Sequence, residues 1–265
     1  MLDSLNRGLR TILEQRTRRW RFRRSLPPDL GKASIMVSPS CGLRFLFRPM
    51  EQIDPALLAI ARTEVCRGQK VWDVGANVGL FAVAAAAKSG PEGAVMALEP
   101  DPWLADMLQE TASGLPDSFA RVDVLSLAVA SAISVRRFHL ARRSRGCNFL
   151  DGYGLSQTGG SRNEIAVAAV TLDWLEAEFG RPNLIKIDVE GAELEVLTGG
   201  EHVLSGSRPT LLVEVEEESA DAVTEFLVSR DYDLFDAEVQ PAARNPLSRA
   251  CWNTLARPRG AVMQK

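Results

Sequence analysis

The stretch Val71–Gly90, VWDVGANVGLFAVAAAAKSG, decides the fold. Val71-Trp72-Asp73-Val74 is β-branched and aromatic enough for a buried strand, while Leu80–Ala87 is too rich in alanine to favour anything but helix. Gly75 and Gly79 permit a tight turn between them and a close backbone approach by something else. A strand that turns through glycines straight into a helix brings N–H groups and a helix N-terminus to one edge of a sheet, which suits a nucleotide-type cofactor.

Working outward, strand and helix alternate. Strands are expected at Lys70–Val74, Ala94–Leu98, Val122–Val129, Leu184–Asp188 and Thr210–Val215, with helices near Val78–Ser89, Pro102–Ala112, Leu172–Phe179, Gly191–Leu197 and Ser219–Ser229. That rhythm argues for an α/β fold, a mainly parallel sheet covered by helices on both faces. Tyr232–Phe235 and Ala250–Ala256 have only a Pro- and Asn-containing loop between them and read as a final antiparallel pair. Upstream, Pro55–Cys66 is an amphipathic helix with Asp54 as N-cap and Pro55 at its first position. Leu43–Arg48 alternates like a short strand. The organisation expected is a basic N-terminal arm and small cap over 1–54, then one Rossmann-like domain over 55–265. The glycine-rich stretch Arg142–Glu164 fits no regular element and reads as a substrate lid or a surface excursion.

Bulk properties narrow the function. With 265 residues, 46% hydrophobic and 25% charged, the chain can bury a sizeable core. Its longest apolar run, Leu80–Ala87, is far short of the ~20 residues a bilayer crossing needs, and the N-terminus lacks the apolar segment of a signal peptide, so a cytoplasmic location is expected. Cys41, Cys66, Cys147 and Cys251 are scattered, with no histidine beside them, and indicate reduced, mostly buried thiols rather than a zinc site or a disulfide framework. No metal constellation is indicated. Arg7–Arg24 holds eight arginines against Glu14. This helix-like arm either contacts nucleic acid, an anionic membrane surface or an acidic partner, or lies solvated with Leu9, Ile12, Leu13 and Trp20 packed on the main domain.

Glu99 ends the next strand, 24 residues beyond Gly75, where an acid can accept hydrogen bonds from both ribose hydroxyls. The loop reads Asp73-x-Gly75-x-x-x-Gly79 and lacks the middle glycine against which a pyrophosphate would press, so an NAD(P)-dependent oxidoreductase is a minor alternative. Asp73 and Asn77 offer polar groups to a smaller cationic ligand instead.

WDVGANVG, followed by ALEPDP, TLDWL, LIKIDVEGAELEVLTGG and RPTLLVEVE, resembles the FkbM-type family of S-adenosylmethionine-dependent methyltransferases over roughly residues 71–216. The resemblance implies the class I methyltransferase fold, with seven strands and a reversed final hairpin, S-adenosyl-L-methionine as cofactor, and methyl transfer to a hydroxyl of a sugar, glycan or secondary metabolite. It implies that Gly75, Asn77 and Gly79 hold the methionine portion, that Asp73 orients the loop and that Glu99 binds the ribose. At the adenine-contacting position this chain has Ser131 where the family usually has an acid.

In Leu184–Asp188 the side chains alternate, so Lys186 and Asp188 share a face, with Asp188 at the carboxyl end. An alcohol acceptor needs a base. Asp188 is the first candidate, Glu190 the second, and Lys186 is a tuning partner for Asp188. The competing reading makes Lys186–Asp188 a plain ion pair and Glu190 a dipole-favoured acid at a helix start. Glu214 either lines the acceptor pocket or belongs to a solvated acidic edge with Glu216, and His139 is placed near the acceptor. The alternative to an enzyme is a non-catalytic cofactor-binding or RNA-associated module.

Overall fold

In the computed structural model, residues 17, 19–31, 33–142, 144–154 and 160–260 are described. An N-terminal hairpin, β1 (Phe22–Ser25) and β2 (Ser34–Val37), precedes one helical turn, α1 (Arg44–Phe47), and then α2 (Pro55–Glu64). The central alternation follows as β3 (Lys70–Val74), α3 (Leu80–Ser89), β4 (Ala94–Leu98), α4 (Pro102–Ala112) and β5 (Arg121–Leu125). Next comes an insertion of four strands, β6 (Ala128–Val129), β7 (Ser134–Ala141), β8 (Phe149–Leu150) and β9 (Ser161–Val170). The chain ends as α5 (Leu172–Phe179), β10 (Leu184–Ile187), α6 (Glu193–Thr198), β11 (Thr210–Glu214), α7 (Ala220–Val228), β12 (Tyr232–Asp236) and β13 (Asn253–Pro258).

The main sheet has the order β12-β13-β11-β10-β3-β4-β5, and β13 alone runs against its neighbours. Strand order therefore reverses between β3 and β10, and the carboxyl ends of those two strands open a crevice. The alternation of side chains explains the two layers. Val71, Leu184 and Leu212 face the core shared with α2, α3 and α4, while Trp72, Val74, Ile185, Ile187, Leu211 and Val213 face α5, α6 and α7. The helices begin where their caps dictate: Asp54, Asp101 and Thr171 each accept a hydrogen bond from a first-turn N–H.

Four expectations change. Leu43–Arg48 is not a strand: the Arg48 N–H donates to the Arg44 carbonyl and closes a helical turn, because six alternating residues with no partner strand have nothing to pair with. Phe22–Arg24, expected as the end of a helix, is paired antiparallel to Met36, Ile35 and Val37, and Arg21 and Arg23 reach Asp106 and Glu110 on α4. Trp20 is 58% exposed instead of packed, and the arm from Arg7 to Arg16 lies outside the described residues. The segment Val122–Val129 splits, its first part ending the main sheet and Ala128–Val129 pairing with β9 in the second. The four cysteines form no disulfide; Cys41 is buried and Cys66 exposed. Among the described residues no helix is long and apolar enough to cross a membrane.

Candidate active site

A cleft lies over the carboxyl ends of β3, β4 and β10. Of the residues singled out from sequence, Gly75, Asn77, Glu99, Asp188 and Glu190 line it together. The glycine loop is held in a conformation few side chains tolerate. Gly75 has φ +76°, and a Cβ on it would meet the Asp188 carbonyl oxygen at 1.8 Å, so the two strand ends touch through bare backbone. Asn77, at φ +54°, turns its N–H to Glu99 Oε2 at 2.8 Å, and Asp101 N–H donates to Glu99 Oε1 at 2.9 Å. Each oxygen keeps a second lone pair for a ligand hydroxyl. Burial, opposed by those N–H groups, pushes the Glu99 carboxyl up to about 8.

Asp73, Lys186 and Gly79 stand behind the cleft and do not line it. Lys186, nearly fully buried, places its ammonium 3.1 Å from Asp73 and 3.2 Å from Asp188 and donates to the Gly75 carbonyl at 3.0 Å. Burial alone would strip its proton, but the carboxylates of Asp188 and Asp73 hold it and raise its pKa. Lys186 is therefore a permanent cation tying the glycine loop to Asp188. Gly79 caps α3, and a Cβ there would strike Leu108 Cδ1 at 2.2 Å, so this glycine serves helix packing. Ser131 is exposed and outside the cleft, and its hydroxyl donates to Glu195 Oε1 at 3.1 Å.

Glu190 is half-buried and sits at φ +57°, a left-handed conformation that costs a non-glycine residue about 1 kcal/mol or more. Glu193, 1% exposed, imposes it by accepting from Val189 N–H at 3.2 Å and Gly191 N–H at 3.0 Å, folding that loop back on itself. Burial and the neighbouring Asp188 charge push Glu190 up to about 8, and burial lifts Glu193 to about 7. Glu214 ends β11, the parallel neighbour of β10, and burial with the Asp188 charge raises it to about 9. It is a half-buried acid beside the site rather than part of a solvated edge. His139 is away from the cleft, stacked on Phe149 and hydrogen-bonded to Asp151 at 2.9 Å. Among the described residues no three His, Cys, Asp or Glu side chains gather to hold a metal.

Sequence reasoning missed Phe138, Arg145, Gly146, Asn148 and Leu150, which complete the cleft with Leu127, Ala128 and Val129. The glycine-rich stretch was a signal for Arg145 to Leu150; Phe138 had none.

The donor set fits an adenosyl sulfonium. A buried carboxylate faces the second strand end, the Gly75 backbone is open to close approach, and the buried Asn77 Oδ1 has no hydrogen-bond partner in the protein. Sheet order, reversed last hairpin and this cleft define a class I methyltransferase. A family model described as the methyltransferase FkbM domain matches residues 73–234, more than half of the chain, and the chain belongs to that family. S-adenosylmethionine is the cofactor that membership assigns. The crystal structure of methyltransferase FkbM from Methylobacillus flagellatus KT superimposes with a TM-score of 0.50 at 18% identity, covering 74% of this chain and 46% of that one. Hexuronic acid methyltransferase AglP from Haloferax volcanii is 30% identical over 131 residues, 49% of this chain and 48% of that protein. The chain thus spans about half the length of this curated relative.

Proposed function

We propose that the protein transfers the methyl group of S-adenosylmethionine to a hydroxyl of a sugar, glycan or secondary metabolite. The observation that carries this reading is the juxtaposition, in one cleft, of the Gly75–Asn77 loop and Glu99 with Asp188 and Glu190. A sugar acceptor is supported by the similarity to a hexuronic acid methyltransferase. The bound cofactor supplies an electrophilic methyl on a sulfonium. Glu99 accepts the ribose hydroxyls, and the Gly75 loop and Asn77 hold the methionine portion. On the other side of the cleft the chain must hold the acceptor oxygen at near-attack distance, an effect worth up to ~7–11 kcal/mol.

The acceptor proton goes to Glu190 in this account, with Asp188 as the orienting charge. Asp188 Oδ2 is already engaged by the Lys186 ammonium, whereas Glu190 has no hydrogen bond among the described contacts and a proton affinity near neutral pH. This reading puts Glu190 ahead of Asp188, the first candidate from sequence. Release of S-adenosylhomocysteine across a panel of hydroxylated acceptors tests the reading. Glu190→Gln is expected to lower turnover at least tenfold while leaving cofactor affinity within twofold, and unchanged turnover would remove Glu190 from the role. Cofactor binding without turnover on any acceptor would favour a binding module.

A further inference from the structure

We propose that the inserted sheet β6–β9 is the roof over the cofactor's purine, with Phe138 and Leu150 as its apolar platform. This rests on the cleft being the S-adenosylmethionine site, and it moves adenine recognition from Ser131, the position the family pattern indicated, to Phe138 and Leu150.

Phe138 and Leu150 are each 4% exposed, lie opposite one another on the paired strands β7 and β8, and both line the cleft. Leu127 and Val129, from the junction of β5 and β6, also line it, so this part of the cleft is a slot between apolar side chains. A flat heteroaromatic ring gains most from such a slot, because both of its faces leave water.

The roof is anchored beside the ribose carboxylate. Asp101, whose N–H donates to Glu99, accepts from Asn148 Nδ2 at 3.0 Å and pairs with Arg145, and the Arg145 guanidinium lies 4.5 Å from the centre of the Trp103 ring. The Ser144 hydroxyl donates to the Ser40 carbonyl at 3.3 Å and ties the same turn to the N-terminal segment. A base attached to a ribose held at Glu99 therefore falls beneath this turn and the strands that carry it. The roof also has its own core, in which Phe138 and Leu150 pack with Leu140, Val167 and Ala169, so the platform is preformed. Ser131, pointing to Glu195, takes no part.

Calorimetry with S-adenosylhomocysteine and an NMR measurement test this. Leu150→Ala is expected to raise the dissociation constant at least tenfold, with Leu150→Met and Ser131→Ala within threefold of wild type. Because Leu150 is a core residue, the second measurement uses the unsubstituted protein with labelled leucine methyls. Nuclear Overhauser contacts from the adenine H2 or H8 to the Leu150 methyls are expected in the saturated complex. The proposal is overturned if a folded Leu150→Ala protein binds within threefold of wild type, if Ser131→Ala weakens binding more than Leu150→Ala, or if the saturated complex lacks those contacts. Wild-type protein that binds no S-adenosylhomocysteine would remove the cofactor reading and the roof together, whereas tight binding with adenine contacts elsewhere removes the roof alone.

Discussion

The pH dependence of turnover tests the assignment of Glu190 as proton acceptor. Burial and the Asp188 charge put its carboxyl at about 8 in the free protein. A base works when ionised, so kcat/KM should rise tenfold per pH unit below that value and level off above it. At pH 6 only about one Glu190 in a hundred is ionised, which sets the expected loss at roughly a hundredfold relative to the plateau. A sulfonium in the cleft favours the carboxylate, so the corresponding limb of kcat should lie at lower pH than that of kcat/KM. Asp188→Asn removes a charge that opposes ionisation and should move the limb of its residual activity to lower pH, while Glu190→Gln should abolish the limb along with most of the activity. Because Glu193 and Glu214 titrate nearby, they help set the apparent value of the Glu190 limb, and Glu214→Gln should shift it without removing it. A profile that is flat between pH 6 and 9, or a limb that persists unchanged in Glu190→Gln, refutes the assignment.

The same three acids affect stability. Glu190, Glu193 and Glu214 bind protons more tightly folded than unfolded, so the stability they contribute is complete below their ordinary value of 4.5 and is lost as pH rises from there to about 8, 7 and 9 respectively. Melting of the unliganded protein should therefore fall between about pH 5 and pH 9, less steeply in Glu214→Gln, and a melting temperature that rises across this window contradicts the account. Gly75→Ala should weaken S-adenosylhomocysteine binding at least tenfold in calorimetry, because its Cβ has no room against the Asp188 carbonyl; wild-type affinity would show that the loop yields. Glu64, buried between Arg244 and Arg257 at 2.6 Å from each, joins α2 to the C-terminal strand. Glu64→Gln leaves the buried Arg244 without its counter-charge and should cost about 3 kcal/mol in urea unfolding, and a cost below ~1 kcal/mol would mean that water replaces the carboxylate.

Much of the main sheet was legible because its signals are local. Lys70–Val74, Ala94–Leu98 and Pro102–Ala112 form with the boundaries read from sequence, since glycines, apolar runs and the Asp101-Pro102 cap mark their ends unambiguously. The strands β7 and β9 were not legible. Ser134–Ala141 carries Arg137 and His139 on one face and Arg136 beside Phe138 and Leu140 on the other, and its main partner, β9, lies about twenty residues further on at the end of the glycine-rich stretch, so neither polarity nor sequence proximity announces the pairing. Ser131 was named from the family pattern and not from local signals. That pattern implies a place at the cleft, but the chain passes through β6 into the second sheet first, and the Ser131 hydroxyl donates to Glu195. Lys186, Asp188 and Glu190 were found from strand alternation and family pattern, yet their division of labour depends on which carboxylate the ammonium pairs with, and only the folded chain reveals that.

The central claim is that Glu99 holds the ribose of an adenosyl ligand at the end of β4. Its most direct measurement is a calorimetric comparison of S-adenosylhomocysteine with its 2′-deoxy analogue on the wild-type and Glu99→Ala proteins. The account predicts one site per chain, at least tenfold weaker binding of the deoxy ligand to the wild type, and no discrimination by Glu99→Ala. No binding to the wild type, or a preference for the full ribose that survives the substitution, would contradict it.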